Sequence, residues 1–237
     1  MYIWAHRGSH HRAGPLENTL PAFLLAIEES ADGIELDVHL SSDGVPVVFH
    51  DETLERLVIG RDERRIESLS LSEIQRVELL RGHRIPSLRE ALEIVDGRLP
   101  VNIEIKDAKA VEAVADILWS EQRSECLISS FSAAAVEHAA SCLPNHVRAW
   151  ISGEARVTEE ITQRLERPFE TLSSCHAHRW HTDALAVHSA NLGRAKELGI
   201  EVHVWTINDP LEARRLRDLG VDGVFTDHPA RLREALQ

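Results

Sequence analysis

The stretch Gly33-Ile34-Glu35-Leu36-Asp37-Val38-His39-Leu40 decides the reading. Ser41-Ser42-Asp43-Gly44 and Val45-Pro46-Val47-Val48-Phe49-His50-Asp51 follow it. Residues 33–40 alternate with the period of a β-strand, so Ile34, Leu36 and Val38 share one face and Glu35 and Asp37 the other. In a strand covered by helices the apolar face turns outward, which leaves two carboxylates pointing into a barrel interior. The four residues 41–44 are too few for a parallel crossover, so the next run must return antiparallel. Asp43-Gly44 is a tight-turn signal, since such turns need positive φ. Pairing outward from that turn sets Ser42 against Val45 and Asp37 against His50, which returns His50 to the carboxylate face.

On either side of this segment, short β-branched runs alternate with longer amphipathic ones. Strands are expected at 2–6, 33–40, 101–106, 127–130, 147–151, 184–188, 200–207 and 223–226, and helices at 19–30, 88–95, 110–122, 133–141 and 210–219. Strand-then-helix order implies parallel strands joined by right-handed crossovers. Gly33, Gly199 and Gly220 sit where a helix would end, the C-cap position. Eight such units in 237 residues predict an α/β protein, a (β/α)8 TIM barrel in one domain spanning 1–237, with a short β-hairpin inserted after strand 2. The least legible stretch is 166–183.

Composition narrows the function. A hydrophobic content of 43% and a charged content of 27% are those of a soluble globular protein. No run reaches the roughly 18 apolar residues of a membrane span, and no basic-then-apolar leader precedes the first strand. Cys126, Cys142 and Cys175 are odd in number and widely spaced, a pattern fitting a reducing cytoplasm. The formal net charge of −13 weighs against nucleic acid and anionic membranes as partners, so no stable membrane anchor is expected. A small anionic substrate remains compatible, because a bound metal ion reverses the local field. Fourteen histidines are many for this length, and most are expected to be surface or structural residues.

Residues 101–106 repeat the alternation of 33–40, with Ile103 and Ile105 outward and Glu104 and Lys106 inward. Three carboxylates converging in a barrel repel one another and lose hydration, so they need counter-charge. Lys106 and Arg7 could supply it as a buried salt-bridge network. A hard divalent cation with oxygen ligands supplies it more economically, and with no cysteine nearby Mg²⁺ or Ca²⁺ is expected rather than zinc. His6 ends strand 1 at the same mouth, and His50 arrives from the hairpin. Two histidines there suit metal ligation or paired acid–base work. Arg7 adds a donor fork for phosphate or carboxylate oxygens. Phosphate-ester cleavage uses all of these parts.

The series His6-Arg7-Gly8, Glu17-Asn18-Thr19, 33–37, 47–51 and Ile103-Glu104-Ile105-Lys106 resembles the glycerophosphodiester phosphodiesterases. Ser130-Phe131, 204–208 and 221–227 extend the likeness across nearly the whole chain, in the family's order. The resemblance implies a divalent-metal enzyme that hydrolyses small-molecule glycerophosphodiesters to glycerol 3-phosphate and an alcohol. Carried over by position, His6 and His50 are the acid–base pair, Glu35, Asp37 and Glu104 the metal ligands, and Arg7 and Lys106 the phosphate contacts. Phe131 and Trp205 line the glycerol or leaving-group side. Asn18 supports the first loop, Glu17 and Thr19 cap the next helix, and His10 and His11 are bystanders. Where the family usually has a threonine-rich turn after His50, this chain reads Arg56-Leu57-Val58-Ile59-Gly60-Arg61, without the larger domain some members insert there. Both departures bear on substrate access. Two other readings share the fold: a silent metal- and phosphate-binding barrel, and a metal-dependent aldolase or isomerase.

Overall fold

The structure, a computed structural model, describes residues 1–153 and 161–237, with main chain only for 161–167. Nine strands form one sheet: β1 (Tyr2–Ala5), β2 (Gly33–Leu40), β3 (Pro46–Val48), β4 (Val101–Ile105), β5 (Leu127–Ser130), β6 (Arg148–Ile151), β7 (Arg179–Asp183), β8 (Glu201–Trp205) and β9 (Gly223–Thr226). Eight are parallel, in the order β1-β9-β8-β7-β6-β5-β4-β2, and β1–β2 pairing closes the ring. This is the expected TIM barrel. Strand β3 pairs antiparallel with β2 outside the ring.

Helices α1 (Leu20–Glu28), α2 (Leu71–Ile74), α3 (Leu88–Val95), α4 (Ala110–Glu121), α5 (Ala133–Cys142), α6 (Ile161–Ser174), α7 (Ser189–Glu197), α8 (Pro210–Leu219) and α9 (Pro229–Leu236) complete it. Helix α3 shows why they form. A capping box between Ser87 and Glu90 starts it, and its buried stripe is Leu88, Ala91, Leu92 and Val95. That stripe packs on outward residues such as Ile34, Leu36 and Ile103.

Three expectations need correction. The strand placed at 184–188 is β7, five residues earlier, and Ala184–Ala186 is a single 3₁₀ turn. Arg-Trp-His-Thr-Asp lacks an aliphatic alternation because its inward side chain is polar His181 while Trp180 packs outward against Phe169. Gly33 is not a helix cap, unlike Gly220, which closes α8 at φ +93°. It opens β2, and a Cβ there would lie 2.4 Å from the Trp4 ring, so glycine lets Trp4 cross the barrel floor. Trp4 stacks on Phe225 at 5.9 Å and donates from Nε1 to His203 Nδ1 at 2.8 Å.

The third correction is the hairpin register. Val38 faces Val48 and Leu40 faces Pro46, one residue off the expected pairing. Ser41 N donates to Val45 O, so the loop is three residues with Gly44 at φ +80°, a turn whose extra residue shifts every partner. The ladder ends at Val48. Beyond it, Phe49, Leu54, Leu57, Ile66, Leu69, Ile74, Leu79 and Ile85 build a satellite core with Leu16. That core, together with a Phe49 N–H donated to Asp37 O at 3.0 Å, carries His50 to the mouth.

Candidate active site

The site grows from four strand ends. After β1 the chain turns through Arg7 at φ +57° and Gly8 at φ +79°, and a Cβ on Gly8 would lie 2.8 Å from the Ala22 backbone. The close approach fixes the loop on α1. From there Arg7 N donates to Glu35 Oε2 at 2.8 Å, Arg7 Nη1 pairs with Glu17 Oε1 at 2.8 Å, and Arg7 Nε lies 3.2 Å from Asp37 Oδ2.

Glu35, Asp37 and Glu104 point inward and are buried, and one oxygen from each falls within 4.8 Å of the others. Lys106 Nζ lies 2.7 Å from Asp37 Oδ1 and also pairs with Glu104. Asn18 binds Asp37 twice, donating from Nδ2 to Oδ2 at 2.7 Å and accepting from the Asp37 amide at 3.2 Å. Both expected sources of counter-charge, Arg7 and Lys106, are therefore in place, but two cations face three acids. Burial and then the charges of Asp37 and Glu104 push the Glu35 carboxyl well above its usual range. Burial and Asp37 push Glu104 up to about 7. Burial also acts on Asp37, but Lys106 and Arg7 outweigh it and hold that carboxyl low. Glu35 Oε1 is buried with no hydrogen-bond partner among the described residues. An orphaned carboxylate oxygen, excess negative charge and an all-oxygen donor set fit a hard divalent cation.

Each histidine has a carboxylate behind it. His6 Nδ1 lies 2.7 Å from Asp227 Oδ1, and Asp227 Oδ2 accepts from Asn208 Nδ2 at 2.7 Å. His50 Nδ1 lies 2.6 Å from Asp51 Oδ1. Arg56 binds Asp51 through Nε at 2.6 Å and reaches Glu17 from both terminal nitrogens at 2.8 and 2.6 Å. A single chain of charge contacts thus runs His50–Asp51–Arg56–Glu17–Arg7–Asp37. Burial lowers both imidazoles from their ordinary value, against the opposing pull of Asp227 on His6 and of Asp37 on His50.

His6, Arg7, Glu35, His50, Glu104 and Lys106 line one pocket, whose far wall includes Phe131, His181 and Trp205. Phe131 meets Trp205 edge-on at 5.7 Å and is 49% exposed at the rim. Of the residues expected as acid–base pair, metal ligands and substrate contacts, all line this pocket except Asp37, which is paired with Arg7 and Lys106. Other assignments change. Glu17 joins Arg7 to Arg56 rather than capping α1, and Thr19, at the N-cap position, donates back to Leu16 O. His10, expected as a bystander, has Nε2 3.2 Å from Asp227 Oδ1. Asp51 and Asp227 sat in motifs already singled out but carried no role, since only the fold shows which histidine each one backs. His181 carried no signal at all.

A barrel mouth with buried carboxylates, paired cations and carboxylate-backed histidines defines a hydrolase acting on phosphate esters. Residues 6–231 match the model of the glycerophosphoryl diester phosphodiesterase family, and the chain belongs to that family. It is 31% identical over 247 residues to a glycerophosphodiester phosphodiesterase of Caldanaerobacter subterraneus, covering 97% of this chain and 95% of the relative. The crystal structure of a glycerophosphodiester phosphodiesterase from Thermotoga maritima is 34% identical with a TM-score of 0.80, covering 100% of this chain and 98% of that one. An Oleispira antarctica phosphodiesterase, solved in complex with the product sn-glycerol-3-phosphate, is 27% identical with a TM-score of 0.86 and coverages of 100% and 96%.

Proposed function

We propose that the protein hydrolyses glycerophosphodiesters to glycerol 3-phosphate and an alcohol, with a divalent cation, Mg²⁺ or Ca²⁺, held by Glu35, Asp37 and Glu104. The observation that carries this reading is the pair of histidines in one pocket, each with Nδ1 engaged by a carboxylate. That engagement leaves Nε2 of each ring as the proton-transfer atom and stabilises the imidazolium form each ring must visit. One ring takes a proton from the attacking water as its oxygen bonds to phosphorus. The other delivers a proton to the alkoxide whose P–O bond breaks.

Arg7 and Lys106 hold the non-bridging oxygens. Asp37 and Glu17 keep the Arg7 guanidinium oriented, so little ordering is left for the moment of reaction. The cation, when bound, adds Lewis-acid stabilisation of charge on the phosphoryl oxygens. Phe131 and Trp205 form an aromatic wall against the organic part of the ester. No described helix is long and apolar enough to cross a membrane. That absence and the net charge of −13 favour water-soluble, deacylated substrates.

The test is direct. Glycerophosphocholine and glycerophosphoethanolamine are incubated with the enzyme, with and without EDTA, and glycerol 3-phosphate is measured. Metal-dependent release is expected; no release across several head groups would return the protein to a silent barrel or to other chemistry.

A further inference from the structure

The pocket's far wall holds a group that the proposed mechanism leaves unused. His181 lies in β7, faces the barrel interior and is 1% exposed. Among the described residues neither of its ring nitrogens has a hydrogen-bond partner. Its neighbours offer ring surface and little else: Phe225 lies edge-on at 4.8 Å and His203 stacks at 5.5 Å. His203 cannot help. Its Nδ1 accepts from Trp4, and its Nε2 lies 3.5 Å from Glu201. Burial, then His203 and Arg179, drive His181 well below the ordinary imidazole value, so the ring is neutral and carries one N–H donor and one bare acceptor.

A neutral imidazole buried among aromatic rings with both valences unspent is costly to fold around, and such groups are normally satisfied. It lines the pocket together with His6, His50, Phe131 and Trp205, which gives it a polar outlet. A vicinal diol matches that outlet, because each hydroxyl both donates and accepts. The location selects which part of the ester it meets. Phe131 sits exposed at the rim, the side open to an alcohol of variable size, whereas His181 sits deep beside Ile151 and Phe225.

We propose that His181 is a specificity residue that hydrogen-bonds the hydroxyls of the glycerol moiety at the closed end of the pocket. This rests on the glycerophosphodiesterase reading, and the experiment separates the two. Binding of sn-glycerol 3-phosphate and of inorganic phosphate to the metal-loaded protein is measured by calorimetry for wild type, His181→Phe and His181→Gln. In parallel, kcat/KM is measured on glycerophosphocholine and on bis(p-nitrophenyl) phosphate, a diester without hydroxyls.

His181→Phe should weaken glycerol 3-phosphate binding and glycerophosphocholine kcat/KM by about tenfold or more, leaving phosphate binding and bis(p-nitrophenyl) phosphate hydrolysis within about twofold. His181→Gln keeps a donor and an acceptor and should recover most of the loss. Because Phe removes an unsatisfied polar group from an aromatic setting, that variant should melt at or above wild type. Equal losses on both diesters, or none on either, would overturn the assignment, as would a wild type that binds glycerol 3-phosphate no tighter than phosphate. Should His181→Phe fail to fold, His181→Leu takes its place: a loss on glycerophosphocholine no larger than that on bis(p-nitrophenyl) phosphate would mark His181 as structural. A wild type that binds glycerol 3-phosphate tightly but releases none from any head group would sink the activity and leave the contact standing.

Discussion

The two sides of the barrel mouth solve the burial of polar groups in opposite ways. On the side of β1, β2 and β4 the groups are charged and held by one another: Arg7 and Lys106 thread between Asp37, Glu104 and Glu17. On the side of β7, β8 and β9 the groups are imidazoles and aromatic rings, with His181 and His203 neutral and stacked beside Phe225. In the proposed function the charged side holds an ionic phosphate and a cation. The neutral side offers shape, ring faces and a few uncharged hydrogen-bonding atoms. A phosphodiester is itself divided in this way, with a charged centre and an organic arm, and the mouth repeats that division.

The largest effect should come from breaking the charged side at its proposed proton-transfer groups. His6→Ala or His50→Ala should lower kcat by about 10²–10⁴-fold with little change in the melting curve, and near-normal turnover would remove that residue from the mechanism. Next, Glu35→Gln takes away one of three mutually repelling acids. Without metal the variant should melt higher than wild type, and the rise in Tm that Mg²⁺ or Ca²⁺ gives wild type should disappear. Calorimetry with and without EDTA reads both.

The neutral side should declare itself through pH. His181 and His203 have folded-state values below the ordinary 6.5. Above that pH both are neutral whether folded or not, so their contribution is fully present. As pH falls below it, the unfolded chain takes up protons that the folded barrel refuses, and stability drops by up to about 1.4 kcal/mol per pH unit for each ring. The stability difference between wild type and His181→Phe, from denaturant titrations at several pH values, should therefore shift in favour of the variant on acidification. A flat difference would mean that the ring is protonated in the folded state.

The smallest effect probes the fork between the supports of His50 and Arg7. Arg56→Lys keeps the charge but cannot grip Asp51 and Glu17 together. Because the guanidinium is 45% exposed, stability should barely move. Loosening of Asp51 behind His50 should nonetheless lower kcat by about three- to tenfold with KM little changed.

How much could be read from residues alone differs between the two sides for the same physical reason. Glu35, Asp37 and Glu104 stand out because carboxylates interrupt an aliphatic alternation, an arrangement that a buried strand shows only where counter-charge waits. His181 sits in Arg-Trp-His-Thr-Asp, where no aliphatic alternation surrounds it, so its inward direction left no mark and the strand itself was expected five residues late. The hairpin shows the limit from another direction. Asp43-Gly44 announced a turn, but only the Ser41–Val45 hydrogen bond shows that the loop holds three residues. His50 reaches the mouth all the same, because the satellite core carries it there.

By itself the sequence determined the barrel, the inward acids and the placing of the two histidines, since periodicity and residue chemistry are local properties written along each strand, and its ordered series of motifs carried the family. Tertiary structure alone decided who stands behind whom. Asp227 backs His6 across 221 positions because β9 lies beside β1. Glu17 joins Arg7 to Arg56 because a satellite core folds one loop over another. His181 faces the pocket because β7 turns it inward beside Phe225. Such pairings depend on ring closure, a condition on the whole chain that no single segment records.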